Sequence, residues 1–167
     1  MVRRRSAEPL EGIPKCNYIY RHMVRLAHPM DIRTQEWMLD ISHKSRDELL
    51  SALRKGLPAQ TILRIIQLGF DSQLVLRAIG KRTTIERKIK EHKLLSQQES
   101  ERLERVCRIV AQANEVFGGQ VRAREWLERP TDSLCGARVP PLSLLDTEIG
   151  GRMVEERLNQ IAHGMYL

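Results

Sequence analysis

Apolar residues recur every three or four positions along most of the chain after residue 45, which is the spacing of amphipathic helices. The clearest run begins at Ser96, which together with Glu99 forms an S-x-x-E capping box. The apolar positions that follow at helical spacing are Leu103, Val106, Cys107, Val110, Ala113 and Phe117. Because Gly118 and Gly119 then interrupt the run, the pattern predicts one long helix that starts after Ser96.

Shorter apolar repeats on both sides of this helix predict further helices. Four precede it, at about 47–55, 58–69, 71–80 and 83–92. We expect Pro58 in the first turn of the second and Asp71 or Ser72 at the cap of the third. A short helix around Trp126, a turn at 142–146 and a last helix at about 150–163 follow the long one. No series of alternating apolar and polar positions appears, so the predicted fold class is all-α.

Residues 1–45 are less regular, because prolines and a glycine interrupt them. A short strand at 18–20 and a short helix at 34–41 could form there. We therefore divide the chain into a partly ordered N-terminal extension at 1–45, a helical bundle at 46–93 and a second helical unit at 94–167.

Charge is unevenly distributed between these parts. The formal net charge is +7, but residues 1–95 contain 19 Lys and Arg against 10 Asp and Glu, a net of +9. Residues 96–167 contain 9 against 11, a net of −2. A basic front half favours binding to a polyanion such as DNA, where affinity comes from the release of counterions.

The helices at 71–80 and 83–92 are joined by the tight turn Gly80-Lys81-Arg82, which is the arrangement of a helix-turn-helix. On the second helix, Ile85 and Ile89 lie one turn apart and should face the core, so the opposite side should face DNA. There Arg87 could read a guanine edge and the other polar groups could hold phosphates. The predicted DNA-binding residues are Lys81, Arg82, Thr83, Thr84, Arg87, Lys88 and Lys90.

A solvated helix face is the alternative interpretation of the same charges. Two positions also depart from the usual helix-turn-helix pattern. Leu76 stands where a small residue is usual, four positions before the turn glycine, and Lys81 stands where an apolar residue usually follows that glycine.

Features of an enzyme or a metalloprotein are missing from the sequence. The three cysteines, Cys16, Cys107 and Cys135, form no CxxC pair or Cys/His cluster, which argues against zinc and favours reduced thiols in the cytoplasm. The five histidines are scattered, and there is no nucleophile motif or phosphate-binding glycine loop. No apolar stretch approaches the length of a membrane span, and none follows the basic start as in a signal peptide. We predict a cytoplasmic protein that is not an enzyme and has no cofactor.

Residues 94–167 contain short motifs in a distinctive order. They are Leu-Ser-Gln-Gln-Glu-Ser at 95–100, Glu-Val-Phe-Gly at 115–118, Trp-Leu at 126–127, Pro-Leu-Ser-Leu-Leu-Asp-Thr at 141–147 and Ile-Ala-His-Gly at 161–164. This series resembles the Xre/MbcA/ParS-like toxin-binding domain of type II antitoxins. The preceding region is similar to the Xre-like helical DNA-binding domain of such antitoxins.

The resemblance implies a RES-type toxin partner that hydrolyses NAD or transfers part of it. The antitoxin would block the toxin's active-site entrance, form a homodimer and repress its own operon by binding operator DNA. The exposed side of the last helix and the chain end after Gly164 are the expected contact surfaces. The predicted toxin-binding residues are Arg152, Glu155, Glu156, Gln160, His163, Met165, Tyr166 and Leu167. A stand-alone transcriptional regulator without a toxin, and an interaction protein without a DNA function, are the alternatives.

Overall fold

The computed structural model describes residues 46–132 and 134–164, all of which lie in the compact unit Thr34–Leu167. The strand predicted at 18–20, the helix predicted at 34–41 and the toxin-binding residues Met165, Tyr166 and Leu167 lie outside the described residues.

Helices account for the regular structure of the described residues, and the predicted all-α fold class is confirmed. The α-helices are α1 (Arg46–Lys55), α2 (Thr61–Gln67), α3 (Ser72–Ile79), α4 (Arg82–Lys90), α5 (Gln97–Phe117), α6 (Gln120–Glu128) and α7 (Glu148–Ala162). A 3-10 helix at Pro141–Asp146 precedes α7.

The ends of α5 follow from the local sequence, as predicted. The Ser96 side chain accepts a hydrogen bond from the Glu99 backbone N–H, and the Glu99 carboxylate accepts one from the Ser96 backbone N–H. At the other end, Gly118 adopts the left-handed conformation, with φ of 65°, and its N–H is bonded to the last turn.

The prediction that places Pro58 in a helix is wrong. Pro58 does not lie in the first turn of α2, which begins at Thr61; it forms an isolated bridge with Leu94 instead. The last helix begins two residues earlier than predicted, at Glu148, because the Thr147 side chain accepts a hydrogen bond from the Gly150 N–H and caps the helix.

The core is one continuous cluster of buried apolar side chains around α5. This helix contacts α1, α3, α6, α7 and the 3-10 helix. Leu145 is fully buried there, whereas Phe117 and Trp126 pack against the edge of the cluster and remain partly exposed, with their ring centroids 5.5 Å apart. Burying each large side chain contributes about 1.5–3 kcal/mol, so α5 fixes the positions of the helices around it.

Candidate functional site

The predicted helix-turn-helix consists of α3 and α4. Ile85 of α4 is fully buried and Ile89 is half-buried, so these two side chains attach the helix to the core. The side of α4 that points away from the core carries Thr83, Arg87 and Lys90, and all three are exposed. This exposed side, which we call the α4 face, lies where a helix-turn-helix presents its second helix to DNA.

The remaining predicted DNA-binding residues differ in their surroundings. Lys81 is exposed just before α4, whereas Arg82, Thr84 and Lys88 are half-buried. Arg82 forms an ion pair of 2.8 Å with Glu86 of the same helix. DNA contact by each of the seven residues stays a prediction.

Lys88 lies at the edge of α4 that faces α5. Its Nζ donates a hydrogen bond to Glu99 Oε2 at 2.5 Å, and both side chains are largely covered, at 19% and 14% exposed. Burial acts to raise the pKa of Glu99, but the hydrogen bonds from Lys88 and from the Ser96 backbone outweigh it, so the net pKa is lowered. The carboxylate that caps α5 is therefore charged and also holds α4.

Two further contacts hold the helix-turn-helix in place. Gln60, just before α2, donates a hydrogen bond of 3.3 Å to the Ile89 carbonyl near the end of α4. Leu76, the large residue in a usually small position, is buried among the core side chains of α3. The core therefore accommodates this departure from the usual pattern.

A second exposed surface runs along α7. Exposed side chains follow one another at spacings of three or four residues and so lie on one side of the helix. They are Ile149, Arg152, Glu156, Gln160 and His163, and we call this surface the α7 face. Ile149 is 74% exposed, the largest fraction among the exposed large apolar residues of the described chain. Sequence analysis missed Ile149, although its helical spacing to Arg152 and Glu156 was a usable signal.

Glu155 does not lie on the exposed side of α7, where the sequence pattern placed it. It is half-buried and forms an ion pair with Arg108 of α5. The reason is geometric, because adjacent helical residues point about 100° apart and Glu156 occupies the outward direction. Toxin contact by Glu155 and by the other predicted residues stays a prediction.

Arg105 of α5 fixes the start of α7. It is 8% exposed, and it donates hydrogen bonds to the Leu145 carbonyl at 3.0 Å and to Glu148 Oε2 at 2.7 Å. The hydrogen bond from Arg105 is the largest influence on the pKa of Glu148, which is lowered. Gly151 gives the arginine room, since a Cβ there would lie 2.6 Å from Arg105 Cδ. Sequence analysis missed Arg105; the signal was a glycine inside a helix, which usually marks a close approach.

The described residues contain no group of three or more His, Cys, Asp or Glu side chains that could hold a metal ion. Burial raises the pKa of the Cys107 thiol to about 12, so this cysteine is a core residue with no thiolate at neutral pH. Within the same ranges, every helix is too short or too polar to span a bilayer.

Comparison with known proteins gives two family matches. Residues 48–108 match the antitoxin Xre-like helix-turn-helix domain, and residues 112–164 match the antitoxin Xre/MbcA/ParS C-terminal toxin-binding domain. The chain is 31% identical over 128 residues to the antitoxin Xre of Pseudomonas putida, which covers 76% of this chain and 79% of that protein. The chain belongs to the Xre antitoxin family.

Two other relatives agree with this assignment. The antitoxin Xre of Photorhabdus laumondii is 30% identical over 124 residues, covering 72% of this chain and 82% of the relative. A protein of Sphingobium sp. named Prs ADP-ribosylating antitoxin is 28% identical over 128 residues, covering 70% and 79%.

Family membership makes the protein a type II antitoxin with a helix-turn-helix domain for DNA and a C-terminal domain for a toxin. The α4 face lies within the first matched region and the α7 face within the second. Both matches include part of α5, which runs from Gln97 to Phe117. The domain boundary between residues 93 and 94 stays a prediction.

Proposed function

We propose that this antitoxin neutralises a RES-type, NAD-consuming toxin by covering the entrance to its active site with the α7 face and the chain end that follows it. Neutralisation is steric, and the antitoxin performs no chemistry of its own. The observation that carries the proposal is the exposed Ile149 on a row of polar side chains within the matched toxin-binding domain. An apolar side chain with polar side chains around it matches the anatomy of protein interfaces, which have an apolar core and a polar rim.

The α7 face needs neighbouring surface to make a stable complex. A helix of 15 residues is about 22 Å long and about 10 Å wide, whereas a stable interface buries about 800 Å² on each partner. Met165, Tyr166 and Leu167 directly follow Gly164 in the chain and offer further apolar side chains. We therefore include these residues in the docking surface.

The NAD chemistry of the toxin is supported by the name of one relative. The Sphingobium protein is called an antitoxin in connection with ADP-ribosylation of Prs, and the transfer of ADP-ribose consumes NAD. By analogy, we assign an NAD-consuming toxin to this chain as well, in the cytoplasm where NAD is abundant.

The α4 face is proposed to bind operator DNA and thereby to repress the operon. Arg87 would contact bases, and Lys90 and Lys81 would contact phosphates, because these side chains are exposed and basic. Two operator half-sites about one helical turn apart require two copies of the helix, so we propose a homodimer.

Co-purification with the product of the neighbouring gene tests the toxin assignment. We expect a complex that survives gel filtration, and we expect co-expression to restore growth and cellular NAD. A version that ends at Gly164 should neutralise poorly yet still shift its promoter fragment. The double variant Arg87→Ala/Lys90→Ala should show the opposite pattern.

A protein that shifts its promoter but fails to associate with the neighbouring product at micromolar concentration would be a stand-alone regulator. If both variants damaged both activities equally, the division of labour between the two faces would be wrong.

A further inference from the structure

The rotation of α4 about its own axis decides which side chains reach DNA. Ile85 and Ile89 lie on one side of the helix, only about 40° apart around the axis, and Gln60 holds only its last turn.

The Lys88–Glu99 pair is placed where it can fix this rotation. Lys88 lies about 80° around the axis from the mean direction of the two isoleucines, and its partner belongs to α5. Glu99 is itself immobilised, because the same Oε2 atom accepts the hydrogen bond from the Ser96 backbone at 2.6 Å. A carboxylate at the capped end of α5 is a rigid attachment point for α4.

Contacts between α4 and base edges require an accurate rotation of the helix. A rotation of about 20° would move an atom about 6 Å from the helix axis by about 2 Å. Hydrogen bonds to base edges tolerate a range of only about 0.5 Å in donor–acceptor distance. A small loss of orientation would therefore remove base contacts by Arg87 without unfolding α4.

We propose that Lys88 is a positioning residue, which sets the rotation of α4 through Glu99 and does not itself contact DNA. This inference rests on the proposed role of α4 as the helix that enters DNA. It replaces the prediction from sequence that Lys88 is a DNA ligand, because its ammonium group is already paired and largely covered.

Binding of the full-length protein to its promoter fragment, measured by fluorescence anisotropy at several salt concentrations, tests the proposal. Lys88→Met keeps the apolar stem, and Glu99→Gln keeps the capping box, since glutamine also serves at that position. We expect each to weaken binding at least about tenfold. The double variant Lys88→Met/Glu99→Gln should bind DNA no more weakly than either single variant. Lys88→Arg keeps the charge and should bind with the affinity of the wild type.

The salt dependence separates positioning from contact. Loss of a phosphate contact lowers the slope of log affinity against log salt by about 0.9, so Lys88→Met should leave the slope unchanged. Glu86→Gln is the matched control for Glu99→Gln, because it removes the same charge from an ion pair within α4. A lowered slope in Lys88→Met with normal binding by Glu99→Gln would make Lys88 a phosphate ligand and overturn the proposal. Normal binding by both variants would overturn it as well.

Amide hydrogen exchange decides the question without DNA. In Lys88→Met the pair is lost, so the backbone amides of α4 (Arg82–Lys90) should exchange faster than in the wild type. Exchange in α3 (Ser72–Ile79) and α6 (Gln120–Glu128) should stay unchanged. If the wild-type protein failed to bind the promoter, the role of α4 would be wrong. Unchanged exchange in α4 would overturn the positioning role, whatever the outcome with DNA.

Discussion

Replacement of Arg105 by methionine should destabilise the protein by about 1–4 kcal/mol. The guanidinium donates one hydrogen bond to the buried carbonyl of Leu145 and one to the carboxylate of Glu148. Methionine fills most of the same volume but leaves that carbonyl without its donor, which costs about 1–3 kcal/mol. The lost pair with Glu148 adds only about 0–1 kcal/mol, because that carboxylate is 58% exposed. Against a typical total of about 5–15 kcal/mol, the loss would be large.

Urea unfolding followed by circular dichroism measures this effect, and Arg152→Met is the matched control. Arg152 bonds the same carboxylate of Glu148 from one turn along α7, but its side chain is 71% exposed. We expect this control to cost about 0–0.5 kcal/mol. Equal losses in both variants, or a loss below about 1 kcal/mol for Arg105→Met, would refute the argument that burial makes Arg105 decisive.

Further predictions concern the same helices. Gly151→Ala should lower the free energy of unfolding by about 1–3 kcal/mol in a urea titration, because the new methyl group would overlap Arg105, although alanine normally favours a helix. Ile149→Asp should weaken the toxin complex at least tenfold in calorimetry with an unchanged melting temperature, whereas Val121→Asp, at a site 61% exposed on α6, should not. The lowered pKa of Glu99 stabilises the folded state above the ordinary value of 4.5, so stability should fall as the pH drops through the lower folded-state value. Glu99→Gln should make the stability of the folded protein depend less on pH in this acidic range. If the variant lost stability at acid pH as steeply as the wild type, this role of Glu99 would be contradicted.

Several features could be read from the sequence because they depend on neighbouring residues. The capping box of α5, the glycine at its end and the inward direction of Ile85 all follow from spacings of a few positions. The exposed α4 face follows from the same periodicity. The motifs of residues 95–164 also sufficed to recognise the antitoxin family, which the comparisons confirm.

Periodicity does not decide whether a polar residue at the edge of a helix faces solvent or a neighbouring helix. Glu155 and Lys88 occupy positions at the edges of their helices, where helical spacing does not favour one surrounding over the other. The structure places Glu155 against Arg108 and Lys88 against Glu99. Pro58 was misplaced for a related reason, since its position depends on the bridge with Leu94.

The sequence by itself determined the helices, the family and the side of α4 that turns away from the core, because hydrogen bonds and side-chain contacts within a helix join residues at most a few positions apart. Only the tertiary structure decided which charges are buried. Lys88 meets Glu99 across 11 positions and Arg105 meets Glu148 across 43, and both pairs form because the packed helices bring their partners together. The free energy of such a pair depends on how much water the surrounding core excludes, which no local pattern of residues specifies.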